Sequence, residues 1–329
     1  MRKAFAILCV GLGRLAGALF GAEFPEAEIS SSLIQAKFHL PDPQRGYYRG
    51  TRFDWSGAIY SLKYKGHEYF GPWFEKYDPK THDAIMGPVE EFRTKDAGLG
   101  YAEAKPGETF IRIGVGVVRK PEEPQYRTFN TYEILDHGKW SVKKGSNWIE
   151  FTHQLADKTG YAYVYRKRMR LDKSKPEMVI EHSLKNTGKK AIETSQYNHN
   201  FFVIDGQPTG PDAVVKFVFE PRATRDLKGM ASVGSRQLTY TRELEKGQSV
   251  FTEIEGYGST AKDYDFRIEQ RKAGAGVHIT GDQPINKIVF WSIRTTLCPE
   301  PYITMNVAPG AESKWKINYR FYTLDEAGR

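Results

Sequence analysis

From Ile29 onward the chain alternates apolar and polar positions with a period of two, the pattern of strands whose successive side chains point to opposite faces of a sheet. Met178, Ile180, His182 and Leu184 share one face, and the residues between them are mostly polar. Ile149, Phe151, His153 and Leu155 repeat the pattern. So do Trp315, Ile317, Tyr319 and Phe321, which interleave with Lys314, Lys316, Asn318 and Arg320. Each run reads as a half-buried strand. Turn signals at Lys65-Gly66, His137-Gly138, 144–147, Asn186-Thr187-Gly188, Lys246-Gly247 and Pro309-Gly310 separate the apolar runs and predict antiparallel hairpins. Strands recur about every dozen residues, the spacing of a sandwich or barrel rather than of βαβ units.

The pattern therefore predicts a large antiparallel all-β protein. The 329 residues include 31 Gly and 17 Pro, and aromatic residues make up 13% of the chain, which suits many strands joined by tight turns. No Ser/Gly linker, low-complexity tract or internal repeat interrupts it, so residues 23–329 read as one domain. Two longer irregular segments, 65–81 and 205–212, break the alternation. The first carries Tyr69, Phe70, Trp73, Phe74 and Tyr77, either a platform on which a sugar stacks or a loop packed onto its own sheet.

Residues 1–22 read as a secretory signal: Arg2 and Lys3 precede the apolar run Ala4 to Val10, with Ala16-Gly17-Ala18 and Gly21-Ala22 as cleavage ends. The mature protein is then expected in the periplasm or outside the cell, without stable membrane insertion, since no other stretch approaches the ~20 apolar residues of a spanning helix. Of the two cysteines, Cys9 lies in the leader, so Cys298 has no disulfide partner within the mature chain. The formal net charge is +8, to which Arg2, Lys3 and Arg14 of the leader contribute. The remaining basic residues are scattered and no nucleic-acid motif accompanies them, so nucleic acid is not an expected partner, whereas anionic glycans are compatible.

Two places break the sheet pattern with chemistry. Residues 194–202, Thr-Ser-Gln-Tyr-Asn-His-Asn-Phe-Phe, sit between apolar strand residues yet are polar on both faces. Gln196, Asn198 and Asn200 fall on one side and His199 on the other, between Tyr197 and Phe201, either as a proton-transfer group or as a hydrogen-bonded core histidine. In 297–302, Leu-Cys-Pro-Glu-Pro-Tyr, two prolines bracket Glu300 and remove two ladder donors, which places this carboxylate at an edge, bulge or rim. Near the start, Tyr48 to Trp55 combines Arg49, Arg52, Asp54 and Trp55, a set that suits a polyhydroxylated ligand as well as an internal ion pair under a packed indole. His153 and His182 sit on apolar faces as core residues, and His67 and His82 lack metal-ligand spacing.

Read together, 194–202 is similar to the threonine-led Asn-His-x-Tyr/Phe-Phe segment of aldose 1-epimerases. Residues 297–301, followed by Val307-Ala308-Pro309-Gly310-Ala311-Glu312, resemble that family's late catalytic Glu and the Pro-Gly-Glu turn into its last strand. Gly57-Ala58-Ile59-Tyr60-Ser61-Leu62 looks like its opening strand, Gly160-Tyr161 precedes a strand as there, and Ile85-Met86-Gly87-Pro88-Val89 looks like the segment before its substrate-binding Arg. Where the family reads Ala-Asn-Arg, this chain has Glu90-Glu91-Phe92-Arg93, and the His-Gly-Gly segment is reduced to Asp136-His137-Gly138-Lys139-Trp140.

The resemblance covers most of residues 50–324 and implies a galactose mutarotase-like β-supersandwich. It implies Glu300 and His199 as the catalytic pair, with substrate contacts from Arg93, Asn198, Arg52, Trp55, His137 and Glu90. Glu300, ionised, would take the proton of the anomeric hydroxyl while His199 protonates the ring oxygen, with no metal and no organic cofactor. The partner would be a carbohydrate: a hexose, a uronate or an oligosaccharide. Two rivals share the fold: a glycan-binding protein without turnover, and a lyase or glycoside-cleaving enzyme in which Arg49, Arg52 and Arg93 neutralise a uronate.

Overall fold

The alternating segments form strands at nearly the expected bounds. Trp148–Ala156, Glu177–Asn186 and Glu312–Thr323 each bury the apolar face read from the sequence. The computed structural model describes residues 24–95 and 97–325, so the expected leader and Cys9 lie outside the described residues.

Every strand pairing is antiparallel, and two large sheets dominate. In the ten-stranded sheet the central neighbours are Ala275–Gly281, Glu312–Thr323, Glu177–Asn186, Ala162–Leu171 and Trp148–Ala156, with Lys139–Lys144 at one edge and Ala231–Gly234 at the other. The six-stranded sheet runs in the order Arg222–Ala223, Ser249–Glu255, Lys287–Ile293, Thr296–Val307, Ile192–His199 and Val89–Arg93. Two smaller sheets, built around Ile34–His39 and around Gly116–Arg119, flank them.

One hydrophobic core joins the large sheets. Phe151, Met169, Ile180 and Ile317 of the first pack in it with Phe92, Ile192, Phe290 and Ile303 of the second, all of them buried. Burying each such side chain is worth roughly 1.5–3 kcal/mol relative to leaving it exposed, which is why the inward half of each strand stays apolar. Gly87 shows how tightly the chain enters the six-stranded sheet. Its φ is +76°, and a Cβ there would lie 2.7 Å from the Ile59 carbonyl oxygen, so only glycine fits.

The turn signals fall where expected, but most are not hairpins. Lys65-Gly66 joins the paired strands Ala58–Tyr64 and His67–Glu68, and 144–147 joins Lys139–Lys144 to Trp148–Ala156. The other four, at 137–138, 186–188, 246–247 and 309–310, each carry the chain from one sheet to another. A turn residue encodes reversal, whereas the neighbour a strand pairs with depends on which sheet needs its buried face.

The aromatic loop packs largely onto the sheets and reaches a cleft at Trp73. Tyr69 and Phe70 are buried, Tyr69 edge-on to Phe321 and Phe70 stacked on Phe202. Trp73 stacks on Phe201 with ring centroids 4.8 Å apart and lines a cleft on the outer face of the six-stranded sheet.

Candidate active site

Strand register assembles the floor of that cleft. Tyr197 lies opposite Tyr302 on one side and Glu91 on the other, and Tyr302 in turn lies opposite Lys287. The same register returns at the Phe202–Leu297 bridge, so His199 faces Glu300, which is itself opposite Val289. Because side chains alternate, Tyr197, His199 and Phe201 point the same way as Glu300, Tyr302 and Trp291. The cleft they line is about 850 Å³, within the range of small-molecule sites. Arg52 and Arg93 form a second wall, and Phe129 on the 125–130 loop stands at the mouth, 64% exposed.

The two residues singled out for acid–base chemistry meet directly. His199 Nε2 is 3.1 Å from Glu300 Oε1, and both side chains are buried. Phe201 stacks on the imidazole at 3.8 Å, while Phe53 and Trp291 meet it edge-on. To stack there, Phe201 takes a φ of +33°, a left-handed conformation that a bulky residue adopts only under local constraint.

Burial decides the protonation of this pair. It raises Glu300 to about 8, with neighbouring Glu91 adding to the rise and Arg52 and Arg93 opposing it. Burial, seconded by the positive charge of Arg52, holds His199 well below the ordinary imidazole value. At neutral pH burial therefore favours a proton on Glu300 and a neutral imidazole beside it. The ionised Glu300 expected from the sequence is the form that reacts with a sugar; in the protein alone, burial outweighs the nearby Arg52, Arg93 and Lys287 and favours the protonated carboxyl.

Beside the pair lies a second charged cluster centred on Glu91. Its carboxylate accepts the Tyr197 hydroxyl at 2.5 Å, Arg52 Nε at 3.0 Å and Arg112 Nη2 at 3.2 Å. Arg93 Nε is 3.7 Å away, too long for a hydrogen bond. Burial would raise Glu91, but Arg52, Arg112 and Arg93 outweigh it and hold the carboxyl below its usual range. Arg112 uses its remaining donors on the carbonyls of Thr51, Ala97 and Arg52 and faces no solvent.

Four residues expected at the site lie elsewhere. Glu90 neighbours Glu91 in the strand, so it points to the opposite face, between the sheets, where Lys167 and His182 pair with it. Asn198 follows it there: its Nδ2 donates to Glu90 at 2.9 Å, and its Oδ1 accepts from Gln196. Trp55 donates its indole N–H to the Gly50 carbonyl, and the His137 ring tilts against it, both outside the cleft lining. Arg49 donates to the Gln44 carbonyl and is also outside it. Arg52 and Arg93 are in the lining. His153 and His182 are buried and hydrogen-bonded, as read from their apolar faces.

Sequence reasoning missed the wall formed by Lys287, Trp291 and Phe251, and it chose Glu90 over Glu91. Counting outward by two from His199 and Glu300 reaches Tyr197, Phe201 and Tyr302. The Lys287–Ile293 strand carries no local mark of its neighbourhood, which only cross-strand register supplies. Among the described residues, no group of three or more His, Cys, Asp or Glu side chains is placed to hold a metal ion.

The architecture matches solved structures. A galactose mutarotase-like protein from Clostridium acetobutylicum is similar over 92% of this chain and 96% of its own, with a TM-score of 0.57 and 12% identity. The aldose epimerase homologue from C. elegans covers 92% of this chain and 100% of its own, at TM-score 0.56 and 12% identity. A galactose mutarotase-like protein from Lactobacillus casei covers 90% and 100%, at 0.55 and 12%. No protein-family model matches the chain, and no curated protein sequence matches it. At this identity the likeness establishes the fold: the chain is a galactose mutarotase-like β-supersandwich.

Proposed function

We propose that this protein binds a sugar in the cleft and interconverts its anomers by general acid–base catalysis at Glu300 and His199. The observation that carries the reading is the 3.1 Å contact between two buried proton-transfer groups on the floor of a sugar-sized cleft. Trp73, Trp291 and Phe251 line the same cleft and supply aromatic surface for the C–H groups of a pyranose. The likeness to mutarotase-like structures supports the same chemistry.

In ring opening, a base takes the proton of the anomeric hydroxyl, an acid protonates the ring oxygen, the C1–O5 bond breaks and C1 becomes a carbonyl. Rotation about C1–C2 and reversal of both transfers close the ring on the other face. The resemblance makes Glu300 the base and His199 the acid. Because burial favours the shared proton on Glu300, reaction in this direction requires its transfer to His199 Nε2 as the sugar binds. Hydroxyl groups of the sugar then solvate the new carboxylate, and the ring separates the two groups.

The test is polarimetry of freshly dissolved α-glucose, α-galactose and galacturonic acid with wild type, His199→Ala and Glu300→Gln. Wild type should speed the approach to anomeric equilibrium, and each variant should lose about 10²–10⁴-fold of that acceleration. Sugar binding by wild type with no acceleration would leave a non-catalytic binding protein and overturn the enzymatic reading.

A further inference from the structure

On the premise that the cleft binds a sugar, we infer that the sugar it selects is anionic: it carries a carboxylate or phosphate that docks on Arg93, with Arg52 and Lys287 as flanking charges. The guanidiniums around Glu91 differ in what each has left to give. Arg112 is enclosed and spends its donors on three carbonyls and the carboxylate. Arg52 spends Nε on Glu91 and Nη2 on the Tyr197 hydroxyl, at 3.0 and 3.2 Å.

Arg93 differs from both. It stands 3.7 Å from the carboxylate it neighbours, touches Thr128 Oγ1 only at the 3.5 Å limit, and has its side chain 38% exposed along the cleft wall. It also hydrogen-bonds the Tyr302 hydroxyl. Glu91, Thr128 and Tyr302 orient the guanidinium without using all five of its N–H donors, so at the end of Val89–Arg93 it still has donors to offer a ligand.

The charge balance agrees with the geometry. The cleft lining holds Arg52, Arg93, Arg127 and Lys287 against only Asp83 and Glu300 as acids. Glu91 is already matched by Arg112, and Lys287 shares its charge with Glu253 at 2.8 Å on a half-exposed rim. A buried Glu300 that keeps its proton removes one of the two lining acids, so the cleft lining carries an excess of positive charge within low-dielectric walls. Such a field concentrates anions and discriminates against ligands that leave the guanidinium unmatched. A neutral hexose would leave Arg93 only hydroxyl groups to bind.

The experiment follows the intrinsic fluorescence of the six tryptophans, of which Trp73 and Trp291 line the cleft, as the full protein is titrated with galactose, glucose, galacturonate, glucuronate and glucose 6-phosphate. The acids should bind about tenfold or more tightly than the parent hexoses, as expected for a charge-assisted pair. Raised ionic strength should shrink that preference. Arg93→Gln should erase most of the preference while changing galactose affinity far less, and Arg93→Lys should restore part of it. Tighter binding of the uronates identifies a carboxylate ligand, and tighter binding of glucose 6-phosphate identifies a phosphate.

Equal affinity for hexoses and acids in wild type, with hexoses still anomerised, would overturn the inference and leave the proposed function standing. A salt-independent preference, or an Arg93→Gln loss of equal size for both classes, would overturn it too. If no sugar of either class binds, both the inference and the function on which it rests fall.

Discussion

Glu90 and Glu91 are adjacent, identical and both enclosed, yet they belong to two different electrostatic regions. Glu90 faces the space between the sheets, where Lys167, His182 and Asn198 surround it and the charge closes on itself. Glu91 faces the cleft, where the guanidiniums of Arg52, Arg112 and Arg93 crowd one carboxylate and leave positive charge over. Both carboxyls lie below their usual range, because in each case neighbouring cations outweigh burial. Glu300, two strands away, pairs with His199, and there burial outweighs the pull of Arg52 and Arg93 and raises it instead. Burial therefore does not by itself fix the state of a carboxylate; the cations within reach do, and the chain supplies them unequally on the two faces of one sheet.

The closed region should be the more fragile to loss of one member. Lys167→Met removes the lysine that pairs with Glu90 alongside His182, leaving a buried charge whose solvation no water can restore. The expected loss is about 3–5 kcal/mol of folding stability, read as a lower urea midpoint. A loss under about 1 kcal/mol would mean that the inter-sheet cluster does not depend on its charge, and the contrast with the cleft would fail.

How much of this was legible from the chain depends on which physical signal each part uses. Alternation marked Trp148–Ala156, Glu177–Asn186 and Glu312–Thr323 because burial of one face is a local property of each strand. His199 and Glu300 stood out because polar groups in apolar strands need a reason, and the structure brings them into contact. The parity of Glu90 and Glu91 was not legible, since a residue pair of one type gives no hint which member faces the core. Nor were Lys287 and Trp291, whose place depends on a register set by strands far away in sequence. The hairpins expected at four turns failed for the same reason: a turn records a local reversal, not a partner.

Glu300 sharpens the comparison through pH. A carboxyl whose value in the folded protein is about 8, against 4.5 for the free group, binds its proton more tightly when folded. Its stabilising contribution is complete below about 4.5 and is lost as pH rises toward 8. Glu300→Gln removes that loss, so the stability gap between variant and wild type should widen in the variant's favour by on the order of 2–4 kcal/mol between pH 5 and 8. Thermal melts across that range check it. The same titration should make wild-type turnover decline above about pH 8, as the pair sheds the proton it must exchange. A gap that stays flat with pH would show that the cleft solvates Glu300 as well as it solvates Glu91.

The smallest effect tests whether the Glu91 cluster is over-determined. Tyr197→Phe deletes a hydroxyl that donates to Glu91 at 2.5 Å and accepts from Arg52 at 3.2 Å, while leaving all the guanidiniums in place. Glu91 keeps two hydrogen-bonded arginines, so no buried charge is stranded, and the expected cost is only about 1 kcal/mol. The freed Arg52 N–H then faces the cleft, so affinity for an anionic ligand should hold or rise slightly even as the urea midpoint falls. A loss near that of Lys167→Met would instead make Tyr197 essential to Glu91 and erase the distinction between a charge closed on itself and one with partners to spare.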